Sequence, residues 1–318
     1  MSITELGTQF NLKGRDCVEL TDFSSEEIQY LLDFAIEIKR KHKNGEEYQP
    51  LKGKTVGLIF EKSSTRTRVS FEVGTYQLGG HALFLSKNDI QMGRGETISD
   101  TAQVMSRYLD GIMIRTFGHE NVVELAKHAT VPVINGLSDL AHPCQVLADF
   151  QTVLEHKGTL KGLKLAFVGD GNNMANSLLI GGAKLGVDVW IASPEGYEAD
   201  AAVVAESRTI AKETGARIEL VRSAAEAVQD ADIIYTDVWA SMGFEEEQKI
   251  REAAFKDYQV NEALASLAKP DYLFLHCLPA HRGEEVSEGV IDGRNSLIFD
   301  QAENRLHAQK ALMAALIG

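Results

Sequence analysis

The chain has 318 residues, 44% of them hydrophobic and 25% charged, the proportions of an ordinary soluble globular protein. That length exceeds one usual hydrophobic core and predicts two domains of about 150 residues each. The net charge of −14 argues against nucleic acid as the main partner, so any anion site must be a local basic pocket in an acidic protein. The cysteines Cys17, Cys144 and Cys277 form neither a disulfide framework nor a metal-ligand spacing, and they suit a reducing compartment. The opening segment MSITELGTQFNLKGRD has no apolar h-region, and no apolar run approaches the ~20 residues of a membrane span. The chain therefore reads as cytoplasmic, with no membrane partner.

In chain order, residues 24–42 pair Ser24 with Glu27 as a capping box and place Ile28, Leu31, Leu32, Ala35 and Ile38 on one helical face. A polar segment closing with Pro50 leads to TVGLIF (55–60), which suits a buried strand of a parallel sheet. A helix follows, with Val69, Val73 and Tyr76 on one face, and stops at Gly79 and Gly80. Between strand and helix stand Ser63, Ser64, Thr65, Arg66, Thr67 and Arg68. A helix N-terminus offers unpaired N–H groups and a partial positive charge. The hydroxyls, two guanidinium groups and the local basic excess of Lys62, Arg66 and Arg68 add donors of the kind that hold phosphate. The same residues also describe an ordinary N-cap flanked by surface arginines, and alone they leave both readings open.

Short apolar strands then alternate with helices: strands at 81–86, 110–115 and 131–135, helices near 99–108 and 119–128. The polar, glycine-bearing segment 86–101 is too long for a tight connection; by itself it reads as a surface loop of a class that is often functional. Residues 139–156 predict one long helix, with Pro143 in its first turn, bridging two domains. The alternation restarts with strands at 163–170, 187–192, 217–221, 231–237 and 272–279, and helices from about 173, near 200–213 and from 245. A final helix begins near Gln301, with Ala302, Leu306, Gln309, Met313 and Leu316 along a mostly apolar stripe. The expected fold is α/β: two doubly wound parallel-sheet domains joined by bridging helices.

Ligands of open parallel sheets bind beyond the carboxyl ends of the strands, and the polar clusters fall there. Arg115 ends a strand, so its head is expected at the site edge. His142 and Gln145, in a His-Pro-x-Gln turn, set an imidazole beside a carboxamide. The stretch GDGNNM (169–174) resembles a dinucleotide fingerprint, but Met174 stands where its third glycine belongs, and no ribose-binding acid follows the next strand. Asn172 and Asn173 begin a helix and serve either as caps or as donors to a carboxylate. Asp237 ends a strand ahead of Ser241-Met242-Gly243, an arrangement able to hold an ammonium and close over a substrate. Cys277 ends another strand and, by packing statistics, is a buried small hydrophobe.

Together, Ser64-Thr65-Arg66-Thr67-Arg68, His142-Pro143-Cys144-Gln145, the Asp237 to Gly243 stretch and His276-Cys277-Leu278-Pro279 resemble the transcarbamoylase family. The first two motifs mark the superfamily and the last two its ornithine branch. The resemblance runs from the first helix to Gln301–His307, with Cys144 standing where the family more often has Thr. It implies a carbamoyl-phosphate-binding domain at 1–140, with the C-terminal helix 301–318 packing back on it, and an ornithine-binding domain at 141–300. The implied reaction moves the carbamoyl group of carbamoyl phosphate to the δ-amine of ornithine, giving citrulline and phosphate.

The resemblance further implies that Ser64, Thr65, Arg66 and Thr67 hold the phosphate, and that Arg115 bridges phosphate and carbamoyl oxygen. His142 and Thr67 donate to that oxygen, while Gln145 and the Leu278 carbonyl orient the carbamoyl nitrogen. Arg305 adds a contact, and Gln91 reaches the site of a neighbouring subunit, which implies a homotrimer or a higher assembly of trimers. Ornithine lies with its α-carboxylate near Asn173, its α-ammonium near Asp237 and Ser241 beside Met242, and its δ-amine close to Cys277. Arg66, Arg115, His142 and Cys277 carry the catalysis, with no metal or cofactor. Two alternatives stay open. One is a related transcarbamoylase with another amine acceptor, such as putrescine, which lacks the α-groups that Asp237 and Ser241 would bind. The other is a non-catalytic relative that binds carbamoyl phosphate.

Overall fold

Parallel strands covered by helices on both faces need nearly unbroken apolar runs, and the strands of this chain are mostly of that kind. The computed structural model describes residues 10–92, 95–240 and 247–318. It divides into two compact units, one reaching to Gln151 and including Glu303–Gly318, the other Thr152–Ala302.

The first unit holds a parallel sheet of β1 (Thr55–Phe60), β2 (His81–Ser86), β3 (Gly111–Arg115) and β4 (Val133–Leu137), in the order β2-β1-β3-β4. Helices α1 (Ser25–Lys43), α2 (Thr65–Gln77), α3 (Ile98–Met105) and α4 (His119–His128) accompany it. The central β1 and β3 are buried nearly throughout, whereas the edge strand β2 is only partly covered. Cys17 pairs along β4, accepting from Asn135 N and donating to Val133 O, both at 2.8 Å. The capping box of α1 forms as expected: Ser24 Oγ accepts from Glu27 N at 3.2 Å, and Glu27 Oε2 from Ser24 N at 2.8 Å. Its five apolar face residues are all buried.

Helix α2 departs from the expected amphipathicity. Val69, Val73 and Tyr76 are 51%, 37% and 78% exposed, while Phe71, Gly74 and Thr75 are buried. The buried face is the one that permits close approach: a Cβ at Gly74 would stand 3.1 Å from Met313 and 3.2 Å from Lys310, both on the C-terminal helix. Gly74 and Thr75 make this contact tight, while Val69, Val73 and Tyr76 are left outside.

The second unit holds β5 (Lys164–Val168), β6 (Asp188–Ala192), β7 (Ile218–Val221), β8 (Ile233–Thr236) and β9 (Leu273–His276), all parallel, in the order β7-β6-β5-β8-β9. Helix α5 (Pro143–Lys157) carries the chain into this unit. Helices α6 (Asn173–Leu185), α7 (Ala201–Thr214), α8 (Ala224–Val228), α9 (Gln248–Phe255), α10 (Glu262–Ala265) and α11 (Glu288–Ile291) lie within it, and α12 (Ile298–Ile317) carries the chain back. Its core sets Ala166, Val168, Ile234 and Phe274 of the sheet against Ala227, Val228, Val290 and Ile291 of the helices. Helix α12 begins three residues earlier than expected, and it is not striped: Asn304, Arg305, His307, Gln309 and Lys310 are buried along with most of its apolar residues, while Phe299 is exposed.

In each sheet the strand order reverses direction once, between β1 and β3 in the first and between β5 and β8 in the second. The crevices beyond those paired strand ends are where such sheets accept ligands.

Two histidines of the first unit are held neutral by burial: His142 is driven well below its ordinary value and His307 to about 4. Nearby cations add to the effect: Arg305, Arg115 and Arg66 at His142, and Lys310 at His307. The unfolded chain binds protons at these positions near pH 6.5 and the folded chain does not, so stability is lost as pH falls below that value. The slope approaches about 1.4 kcal/mol per pH unit per histidine. Denaturant titrations at pH 7, 6 and 5 should show this loss, and His307→Gln should flatten it; an unchanged slope in the variant would remove His307 from the account.

Candidate active site

At the end of β1 the chain turns into α2 with Ser64 as N-cap. Ser64 Oγ accepts from Thr67 N and donates to Thr67 Oγ1, both at 3.1 Å. Register pairs Phe60 of β1 with Arg115 of β3, which brings the Arg115 side chain to the start of α2. Its Nη1 lies 3.5 Å from Thr67 Oγ1, and the residue is buried rather than emerging at an edge. From α12, buried Arg305 donates through Nη2 to Thr67 Oγ1 at 3.0 Å and through Nη1 to Gln145 Oε1 at 2.6 Å. Three donors thus converge on one hydroxyl at a helix N-terminus.

His142 directly precedes α5 and is buried. Desolvation, with the charges of Arg305, Arg115 and Arg66, drives its basicity well below the ordinary histidine value, so it is an uncharged imidazole near pH 7. That same dependence shows the three guanidinium groups to be close. Arg66 is half-buried and, among the described residues, has no carboxylate within ion-pair distance. Lys62 and Arg68, counted with it as a basic excess, point elsewhere. Lys62 Nζ meets Asp139 Oδ1 at 2.6 Å and the Phe117 ring at 4.3 Å. Arg68 Nε meets Glu72 Oε1 at 2.9 Å and lies on the Phe84 ring. The i,i+4 spacing within α2 and the neighbouring aromatic ring draw Arg68 away.

Cys144 is structural: its thiol donates to Asn135 O at 3.4 Å, and burial pushes its pKa up to about 12. Gln91 is exposed. Two neighbours of that group escaped the reading of the sequence. Gln145 Nε2 donates to buried Asp149 Oδ1 at 2.8 Å. The Gln309 carboxamide, with its oxygen toward Arg305, accepts from Nε and Nη2 at 3.0 Å and donates to Ser70 Oγ. Both lie one helical turn beyond an expected site residue, at 145+4 and 305+4, and that spacing was the available signal.

In the second unit, β5 ends in the GDGNN turn. Asn172 caps α6, accepting from Met174 N at 2.9 Å and Ala175 N at 3.3 Å, while its Nδ2 donates to Asp237 Oδ2 at 2.8 Å. Asn173 is the first residue of the helix and half-buried. Gly171 is required by space: a Cβ there would stand 2.1 Å from Ala199 N. The second glycine of the fingerprint-like stretch therefore admits the protein's own 198–199 backbone. Asp237, one residue past β8, also accepts from Val238 N at 2.8 Å and from Cys277 Sγ at 3.1 Å. Thr236 pairs in register with His276, which is why Asp237 and Cys277 meet. Ser241 and Met242 lie outside the described residues.

Leu278 holds a left-handed backbone, φ +59°, uncommon for a branched side chain. Its N–H donates to His276 Nδ1 at 2.9 Å, and the opposite ring nitrogen, Nε2, meets fully buried Glu285 Oε1 at 3.1 Å. Asp237, His276 and Cys277 bring potential metal donors within 4.8 Å of one another. Both ring nitrogens of His276 are already engaged, so the trio does not fit an ion without breaking the contact that shapes Leu278.

The family profile described as the carbamoyl-P binding domain of aspartate/ornithine carbamoyltransferase matches residues 15–155, and that of the Asp/Orn binding domain matches 161–316. The chain is 62% identical over 309 residues to the ornithine carbamoyltransferase of Oceanobacillus iheyensis, covering 97% of this chain and 96% of that one. A solved ornithine carbamoyltransferase from Pyrococcus furiosus is 57% identical and superposes with a TM-score of 0.95 over 97% of this chain and 99% of its own. The ornithine transcarbamoylase of Giardia lamblia, 32% identical, superposes with a TM-score of 0.86 over 95% of this chain and 97% of its own. Two profiles spanning nearly the whole length, together with relatives this similar, settle the assignment: the chain belongs to the aspartate/ornithine carbamoyltransferase family.

Proposed function

We propose that the protein transfers the carbamoyl group of carbamoyl phosphate to the δ-amine of L-ornithine, giving L-citrulline and phosphate. The convergence of Arg115 and Arg305 on the Thr67 hydroxyl at the start of α2, beside an uncharged His142, supports this reading most directly. The names of its relatives agree, and the Pyrococcus furiosus one, 57% identical, is called anabolic, which favours the direction of citrulline synthesis. Three free cysteines suit a reducing compartment, and we place the enzyme in the cytoplasm on that ground. No helix among the described residues is long and apolar enough to cross a membrane.

In this reading Ser64, Thr65, Arg66 and Thr67 take the phosphate with the unpaired N–H groups of the helix start. Arg115 and Arg305 add charge-assisted contacts. An imidazole kept neutral still donates one N–H, so His142 serves with Thr67 as an oxyanion site for the tetrahedral intermediate. Gln145 accepts from the carbamoyl nitrogen, a role shared with the Leu278 carbonyl. Asn173, Asp237, Ser241 and Met242 take the amino-acid end of ornithine, with Cys277 at the amine. The amine attacks only when unprotonated, phosphate departs, and positioning with electrostatics accounts for the catalysis.

Citrulline formed from ornithine far faster than product from putrescine, acetylornithine or aspartate is the expected result of a four-acceptor assay. Preference for another amine would discard the acceptor assignment and keep the phosphate site. Binding of inorganic phosphate without turnover of any acceptor would replace the proposal by the non-catalytic reading. Arg66→Ala should lower the rate at least ~100-fold, because it removes a charged contact that matters most at the transition state; a near-normal rate would sink the phosphate assignment.

We further propose a homotrimer, or an assembly of trimers, in which Gln91 completes a neighbouring subunit's site. Exposed Val69, Val73 and Tyr76 on α2 and Leu83 on the uncovered edge strand β2 support a contact between copies. Sedimentation should find a trimer for the native chain and smaller, less active species for Val73→Asp; a monomeric, fully active native chain would overturn this.

A further inference from the structure

We infer that Asp149 is the positioning residue that turns the Gln145 carboxamide so that its oxygen serves the reacting carbamoyl group. The inference rests on the proposed transcarbamoylation and extends it to a residue which that reading does not use. Gln145 and Asp149 stand one turn apart on α5, both buried, with Gln145 Nε2 donating to Asp149 Oδ1 at 2.8 Å. A carboxylate has no O–H in its ionised form and can only accept, so it draws the amide nitrogen and leaves Oε1 on the opposite side. There Oε1 receives Arg305 Nη1 at 2.6 Å, and the same guanidinium reaches Thr67, the N-terminal hydroxyl of the phosphate site.

The orientation matters because a carboxamide is chemically two-faced while a carbamoyl NH2 is purely a donor. Reversed, Gln145 would aim N–H groups at both the carbamoyl nitrogen and the Arg305 guanidinium, leaving donors facing donors. Arg305 alone favours the productive face, but Arg305 is itself assigned to the substrate and shares its donors with phosphate once that is bound. Asp149, one turn along the same helix, keeps its hold on Nε2 whichever ligand is present. This is preorganisation of an acceptor by a buried partner.

The test compares Asp149→Ala with Asp149→Asn, using citrulline synthesis, thermal unfolding and binding of inorganic phosphate. Removing the acceptor should lower kcat ~10- to 100-fold, with a smaller effect on phosphate binding. Asparagine still offers an oxygen in the same place and should stay within severalfold of the native rate. Adding Gln145→Glu to Asp149→Ala should recover at least about tenfold, because a carboxylate presents an oxygen on either face and needs no orienting partner. If Asp149→Ala does not fold, Gln145→Glu alone decides. Two carboxyl groups at that separation favour a shared proton, so its activity relative to the native enzyme should rise as pH falls. An Asp149→Ala rate within twofold of native, an Asp149→Asn as impaired as the alanine variant, no recovery in the double variant, or a native pH profile for Gln145→Glu would each overturn the inference. A native enzyme without carbamoyl transfer would instead overturn the proposed function and leave the Asp149 contact to be judged by phosphate binding.

Discussion

Arg305 donates hydrogen bonds to Gln145 and Thr67, residues 160 and 238 positions earlier in the chain, and the first unit is built so that these three can meet. The first unit is therefore not a contiguous stretch: it requires the last helix, from Glu303 onward. Helix α12 can return there because α2 offers Gly74 and Thr75 where a larger side chain would hold it off. The cost is an α2 whose valines and tyrosine face outward. It is offset by a guanidinium locked on Thr67, Gln145 and Gln309 instead of searching among rotamers in water.

An acidic protein with a cationic pocket must keep its positive charges from being neutralised locally. The fates of Lys62, Arg66 and Arg68 show how this is done. Asp139 and Glu72 take the outer two, whereas Arg66 has no carboxylate partner among the described residues. Gathering Arg66, Arg115 and Arg305 around a buried imidazole has a direct consequence: His142 is uncharged near neutrality and has a single N–H to give. The second unit follows a different plan. Among the described residues Asp237 is met by the amide of Asn172, the Val238 backbone and the Cys277 thiol, neutral donors that orient a carboxylate.

The GDGNN turn illustrates how one sequence pattern serves two physical ends. In a dinucleotide fold the second glycine allows a pyrophosphate to approach the backbone. Here Gly171 allows the 198–199 segment to approach instead, and Gly171 N donates to Tyr197 O at 2.9 Å. The helix start then serves Asn172 and, through it, Asp237.

What the amino-acid sequence determined by itself was the class of fold, the strand and helix order, the cap at Ser24 and the helix starts near Ser64 and Asn173, because these depend on local spacing and apolar periodicity. It also brought the candidate residues to strand ends, since parallel sheets present their carboxyl ends together. Tertiary structure alone decided which side of α2 is buried, which of three neighbouring cations lacks a carboxylate partner among the described residues, and that Asp149 and Gln309 stand behind Gln145 and Arg305. Gln309 shows the reason most clearly. Its position in α12 reads as one interruption in an apolar stripe, and only the packing of helices distant in sequence reveals that from Asn304 onward polar and apolar sides are buried alike. Local sequence reports the period of an element, whereas the identity of its neighbours is set by how distant elements close around it.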